Sequence, residues 1–227
     1  MYSIRPNVLL RSLYPSAIWR IPTKEKQLFL TFDDGPIPEI TPQVLSILKE
    51  YKAKATFFCV GANIEKHSEV FQQIIAEGHS VGNHTFNHLN GWKTKTKDYL
   101  ENIQKCNEQM CRYADVQMKN EKNNRHIHSS AHPHIMFRPP YGKMKRSQIS
   151  LLTSRYSLIM WDVLSGDFDL TISKEKCLKN VISKTREGSI VVFHDSLKAK
   201  ENVLFTLPKF IEHFSKEGFG FYKLPSP

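Results

Sequence analysis

Apolar and polar positions divide the chain into two alternating kinds of segment. Short runs rich in β-branched and aromatic residues lie at 27–32, 55–60, 79–82, 134–137, 157–162, 189–194 and 220–224. Their length and composition predict strands. The intervening stretches carry helical spacing. Thr41-Pro42 reads as an N-cap followed by proline at the first helical position, with Val44, Leu45, Leu48 and Tyr51 then on one face. Val70, Phe71, Ile74 and Ile75 form a second stripe, and Gly78 can end that helix. Tyr99, Ile103, Cys106, Met110 and Tyr113 mark a longer helix. Ser173 opens another, with Cys177, Leu178, Val181 and Ile182 inward and Gly188 past its end. The last helix is predicted from about Glu201 to Glu217, kinked or restarted by Pro208.

Strict strand–helix alternation implies parallel strands with helices outside. The expected fold class is α/β, a distorted (β/α) barrel of about seven parallel strands. Residues 25–227 are read as one catalytic domain and residues 1–24 as an arm whose Leu13, Ile18 and Trp19 pack on it. Residues 115–133 are polar, lack an apolar period and read as a surface loop.

In barrels of this kind the chemistry sits at the C-terminal ends of the strands, and the reactive residues collect there. The first strand runs into Asp33-Asp34-Gly35-Pro36, and the third into His84-Thr85-Phe86-Asn87-His88. Two histidines four apart on one helical turn can share a metal, and one Asp with two His makes a three-ligand set with positions left for water and substrate. The fourth strand ends in Arg138-Pro139-Pro140-Tyr141-Gly142, a stiff turn carrying a guanidinium suited to holding a carboxylate. The fifth reaches Asp162 and Asp167, and the sixth ends in His194-Asp195, where a histidine is placed to act as acid or base. Each group alone is commonplace; their convergence on one rim is what points to catalysis.

Composition narrows the function classes little. The 227 residues are 40% hydrophobic and 24% charged, ordinary for a globular domain. The net charge of +10 attracts anionic partners, but the lysines are scattered and no nucleic-acid motif accompanies them, so no nucleic-acid partner is expected. The apolar block Val8-Leu9-Leu10 is interrupted by Arg11 and does not read as an export signal. That favours the cytoplasm or the inner membrane face, and reduced states for Cys59, Cys106, Cys111 and Cys177. Arg5, Arg11 and Arg20 with the apolar residues around them offer a peripheral foot on an acidic membrane surface as the alternative to plain packing.

The ordered set T-F-D-D-G, H-T-F-N-H, R-P-P-Y-G, W-D-V-L-S-G-D-F and V-V-F-H-D resembles the motif series of the polysaccharide deacetylases, the NodB-like carbohydrate esterase family 4, over about residues 25–224. The resemblance implies a metal-dependent hydrolase that removes N-acetyl groups from an N-acetylglucosamine-type glycan. It implies that Asp33 is the general base that activates water, and that Asp34, His84 and His88 are metal ligands. Arg138 then orients the base, the Tyr141 N–H is an oxyanion donor, Asp167 pairs with the catalytic histidine, and His194 is the acid that protonates the leaving amine. The cofactor implied is a divalent metal, Zn2+ foremost, with Co2+, Ni2+ or Mn2+ compatible with the same ligands. O-acetyl esterases, non-sugar amide hydrolases and catalytically silent glycan binders on the same fold stay open. Phe168 replaces the family's usual tryptophan and Phe193 its usual leucine, both at positions that line the acetyl pocket. His126, His128, His132 and His134 read as solvated loop residues rather than a second metal site.

Overall fold

The computed structural model of the chain describes residues 3–120 and 135–226. Its strands are β1 (Gln27–Asp33), β2 (Thr56–Cys59), β3 (Ser80–Asn83), β4 (Ile135–Phe137), β5 (Tyr156–Leu158), β6 (Val163–Leu164), β7 (Ile190–His194) and β8 (Gly220–Tyr222). The helices are α1 (Val8–Ser12), α2 (Thr41–Glu50), α3 (Gly61–Lys66), α4 (Ser68–Ala76), α5 (Thr96–Asn120), α6 (Arg146–Leu152), α7 (Lys174–Lys184) and α8 (Lys200–Lys216). Every strand pair is parallel, in the order β5-β4-β3-β2-β1-β7-β6, with β8 joining β1. This is the expected α/β barrel, left incomplete between β5 and β6.

The period-two alternation of β1 sorts its side chains into two cores. Leu28, Leu30 and Phe32 face the helices, where Val44, Leu48, Val203 and Phe210 cover them. Phe29 faces inward, onto Phe58, Met136, Ile159, Ile190 and Leu224, which fill the barrel. Full burial of such side chains stabilises by about 1.5–3 kcal/mol each, and because both faces of the strand are buried its sequence is apolar almost throughout.

The arm fills the gap at the barrel seam. Ile18 bridges Ile159 beyond β5, Leu164 of β6 donates its N–H to the Ile4 carbonyl (2.8 Å), and Arg20 bridges Ser189. Its apolar anchors are Tyr14 and Trp19, both buried, whereas Leu13 and Ile18 remain 38% and 37% exposed. Of the three residues expected to pack, only Trp19 does so fully. Arg5 and Arg11 pair with Asp162, and Arg20 donates to the Glu187 carbonyl, so the three arginines turn toward the body.

Several local expectations change. The run at 157–162 does not form one strand: β5 ends at Leu158, and Asp162, fully buried beneath the arm's arginines, lies in the connection to β6. Thr41 lies inside α2, flanked by Ile40, and its hydroxyl reaches the Asp195 carboxylate instead of capping the helix. Pro208 lies within α8, which continues through it without restarting. The predicted loop begins too early, because α5 continues to Asn120; no glycine or proline interrupts residues 110–120, and polar helix formers propagate the turn. The remainder of that predicted loop, with His126, His128 and His132, lies outside the described residues, as does His134.

Candidate active site

The C-terminal rim of the sheet is built upward from a buried arginine. Arg138 follows β4 and is fully buried, its guanidinium lying over the Phe58 ring (4.1 Å) at the top of the inner core. Burying that charge requires saturating its donors. Nη1 donates to Thr31 Oγ1 (2.8 Å) and to Asp33 Oδ1 (2.6 Å), Nη2 to the Met160 carbonyl (3.0 Å) and Nε to the Ile159 carbonyl (3.3 Å). Asp33 is thus held by one oxygen, and its Oδ2 takes no donor among the described residues.

Asp34 turns the other way. Its φ of 83° is a left-handed conformation that lets adjacent carboxylates point into one rim. The turn is fixed from both sides: Asn63 Nδ2 donates to the Asp34 carbonyl (2.7 Å), and Gly35 N–H donates to Asp195 Oδ1 (3.0 Å). A Cβ on Gly35 would sit 2.0 Å from Asp195 Oδ2, so the close approach requires glycine. Burial pushes the Asp195 carboxyl up, to about 7, against the opposing donation from Thr41.

The two histidines of H-T-F-N-H meet, but not on a helical turn. Residues 84–88 form an irregular bend, with Thr85 at φ 63° and His88 at φ 53°. Polar contacts explain why the bend is stable. Asn83 Oδ1 accepts from Thr85 N–H (2.8 Å), Asn102 Oδ1 accepts from Phe86 and Asn87 N–H (2.9 and 3.0 Å), and Thr85 Oγ1 accepts from Leu89 N–H (3.0 Å). Asn83 is secured in turn by Asn107, which bonds Tyr156. His84 and His88 direct Nε2 at Asp34 Oδ1, at 3.7 and 3.2 Å.

The ligating atoms of Asp34, His84 and His88 lie within 4.8 Å of one another. Their chemistry fits a divalent ion. The Arg138 carbonyl can only accept, so the 2.8 Å contact to His84 Nδ1 places the proton there and leaves the Nε2 lone pair facing Asp34. Burial lowers the His84 pKa to about 4, so the ring is a neutral donor at physiological pH. The Asp34 carboxyl is held below its ordinary range: burial raises it, but the His88 hydrogen bond and the charges of the surrounding histidines outweigh that.

Across from Asp33, strand register places His194, its Cα partner on β7. Its Nδ1 contacts Asp167 Oδ1 (2.7 Å), and its N–H donates to Asp167 Oδ2 (2.7 Å). Burial works against the charged imidazole, yet the Asp167 carboxylate, with Asp34 and Asp33 behind it, raises the pKa to about 9. Asn202 on α8 donates to the Asp167 carbonyl (2.9 Å) and fixes that loop. Tyr141 completes the rim at φ 60°, its ring 4.7 Å from that of His88.

All eight candidate residues therefore converge. The pocket-lining reading divides: Phe168 lies edge-on to His194 (5.0 Å), whereas Phe193, next along β7, faces the helix-side core against Phe32 and Phe210. Sequence reasoning missed Asn83, Asn102, Asp195 and Thr31, which hold the reactive groups in place. Asp195 was visible as the last letter of V-V-F-H-D, but nothing in the pattern gave it a partner; Asn102 carries no signal at all.

Fold and rim chemistry together define an α/β-barrel hydrolase of the NodB-like class. The chain belongs to the polysaccharide deacetylase family, whose sequence profile matches residues 20–155. It is 29% identical to a peptidoglycan-N-acetylglucosamine deacetylase of Bacillus cereus, over 94% of each chain. To a chitooligosaccharide deacetylase of Azorhizobium caulinodans it is 30% identical, over 82% of this chain and 81% of that one. A crystal structure of a peptidoglycan N-acetylglucosamine deacetylase superposes with a TM-score of 0.81 at 28% identity, covering 97% of this chain and 95% of the other. Among the described residues no helix is long and apolar enough to cross a membrane.

Proposed function

We propose that this chain is a metal-dependent deacetylase of N-acetylglucosamine-type glycans. The observation that carries the reading is the β1–β7 register, which sets Asp33, clamped by Arg138, opposite His194, clamped by Asp167. Amide hydrolysis needs a base for water on one side of the carbonyl and an acid for the departing nitrogen on the other. Arg138 occupies one oxygen of Asp33, so the other is free to take the water proton. Asp167 occupies Nδ1 of His194, so Nε2 is the atom that delivers a proton to the amine.

A pKa near 9 keeps His194 charged at neutral pH, the state a leaving-group acid must start from. We assign the Tyr141 N–H as the donor to the developing oxyanion. A divalent cation bound by Asp34, His84 and His88 would polarise the acetyl carbonyl and make water more acidic. One carboxylate and two imidazoles suit zinc, and also cobalt, nickel or manganese. The names of the relatives support the choice of an N-acetyl sugar as substrate.

The test is acetate release from N-acetylglucosamine oligomers and from O-acetylated glycans, with and without chelator. Chelator-sensitive release from the amides supports the reading. Release from esters alone would make the chain an esterase, and binding without any release a silent member.

A further inference from the structure

The barrel seam carries a charge imbalance that the chemistry of the rim does not use. Asp162, fully buried, meets three guanidiniums. Arg5 Nε (3.2 Å) and Arg11 Nη2 (2.6 Å) both reach its Oδ1, so these two nitrogens stand no more than ~6 Å apart. Arg5 Nη2 (3.1 Å) and Arg186 Nε (3.6 Å) approach Oδ2. Two of the arginines belong to the arm and the third to the turn before β7, so the cluster spans the joint between arm and body. One carboxylate offsets one of the three charges. A surplus of two positive charges remains, on side chains that are 31%, 31% and 46% exposed for Arg5, Arg11 and Arg186. Glu187, beside Arg186 in sequence, forms an ion pair with none of them among the described residues.

Asp162 does not need all three. Arg5, Arg11 and the Ser189 hydroxyl (2.9 Å) already supply two donors to each of its oxygens, and Arg186 adds charge without a hydrogen bond. Several donors are left over: Arg5 Nη1, Arg11 Nε and Nη1, and both terminal nitrogens of Arg186 take no acceptor among the described residues. Like charges gathered around one carboxylate repel one another, and a second anion on the solvent side relieves that repulsion. Phosphate matches what is left over, since several acceptor oxygens and up to two negative charges meet planar guanidinium forks.

We propose that Arg5, Arg11 and Arg186 form a phosphate site that bridges the arm and the barrel body. The same chemistry serves inorganic phosphate and the headgroup of an anionic phospholipid such as phosphatidic acid. Between Arg5 and Arg11, α1 has no buried residue, and Val8 and Leu9 are 83% and 73% exposed. A phospholipid engages these apolar side chains as well as the arginines, whereas a free ion uses the arginines alone.

The test titrates the full chain with inorganic phosphate by calorimetry, against sodium chloride of equal ionic strength. Arg186→Gln removes one cation and no hydrogen bond to Asp162, so the fold should survive, and phosphate affinity should fall by about two- to five-fold. Lys66→Gln removes the same charge from α3, beside β2 in the middle of the strand order and away from the seam, and should leave the affinity unchanged. Hydrogen exchange locates the site: the Leu10 and Arg11 amides, which donate to Asn7 Oδ1 and the Asn7 carbonyl, should slow by about ten-fold when phosphate reaches ~ten times its Kd. Co-sedimentation with phosphatidylcholine vesicles, with and without phosphatidic acid, separates the two sources. Retention that requires phosphatidic acid, and that falls in Arg186→Gln and in a Val8→Ser, Leu9→Ser double variant, supports the site with a headgroup as its ligand; phosphate affinity without vesicle retention supports it with the free ion. Neither phosphate heat nor retention, an affinity equal in wild type and Arg186→Gln, or arm exchange unchanged at saturating phosphate would overturn the site.

Discussion

Asp33 and Asp162 are both buried carboxylates bound by arginine, one at the catalytic rim and one at the barrel seam beneath the arm. They differ in how many lone pairs are left. Asp162 Oδ1 accepts from Arg5 Nε (3.2 Å) and Arg11 Nη2 (2.6 Å), and its Oδ2 from Arg5 Nη2 (3.1 Å) and Ser189 Oγ (2.9 Å). Burial pushes its pKa up, yet the hydrogen bonds from Ser189, Arg11 and Arg5 hold it below the ordinary carboxylate value. Asp33 is bound at Oδ1 and open at Oδ2. A saturated carboxylate has no basicity left to offer and works as a fastening. A carboxylate held by one oxygen is oriented yet still able to take a proton. Substitutions should separate the two kinds cleanly.

The largest effects belong at the rim. Asp33→Asn should cut turnover on the order of 10²–10⁴-fold while metal content, measured on the same preparation, stays at the wild-type level. Loss of metal in this variant would exchange the roles of Asp33 and Asp34. His194→Ala should cost amide hydrolysis a factor in roughly the same range, on the order of 10²–10⁴, and an activated ester much less, since a good leaving group departs without a proton. Equal losses on both substrates, with fold and metal retained, would remove His194 from the acid role.

Next in size is the buried clamp. Arg138→Met leaves Asp33 charged in a nearly closed pocket and should lower stability by roughly 3–5 kcal/mol, read from urea denaturation, together with activity. Asp162→Asn should cost less, about 1–3 kcal/mol, because Arg5 and Arg11 are partly solvated and can turn outward. The kcat of Asp162→Asn should stay close to wild type. A large drop in its kcat, at a temperature where it is fully folded, would mean that the seam is coupled to the rim and that the division into fastening and reactive carboxylate is too sharp.

Much of this architecture was legible in the sequence. The short apolar runs at 27–32 and 189–194, rich in β-branched and aromatic residues, predicted β1 and β7, and the rule that chemistry gathers at strand ends grouped Asp33, Asp34, His84, His88, Arg138 and His194. The illegible part has a physical pattern. The His84–His88 bend was expected to be helical because i,i+4 spacing suggests it, but its geometry is set by side-chain amides of Asn83 and Asn102, and Asn102 is 16 residues away from Phe86 in sequence. Asp162 read as the end of a strand because its arginines lie more than 150 residues upstream. Periodicity reports which face is buried; it carries nothing about which distant donor saturates a given carboxylate.

The smallest predicted effect is also the most specific to the Asp167–His194 pair. The imidazole is raised from 6.5 to about 9 in the folded chain. Below about pH 6.5, folded and unfolded chains both carry the proton, and the pair contributes its full stabilisation. Between about 6.5 and 9 the unfolded chain gives up the proton while the folded chain keeps it, so stability falls as pH rises; above about 9 both states are neutral and the contribution is gone. The sign is opposite to that of a carboxylate with a depressed pKa, such as Asp34 or Asp162, whose contribution is lost toward acid. His194→Gln removes the titration and keeps a hydrogen-bonding side chain. Urea midpoints should therefore show wild type above the variant near pH 6, with the gap closing steadily toward about pH 10. The measurement is made in chelator, because a cation at Asp34 would repel the imidazolium and narrow the window from above. A gap that stays constant across the range would mean that Asp167 holds His194 by geometry alone, and that the proton assigned to the leaving amine is not stored on this ring at neutral pH.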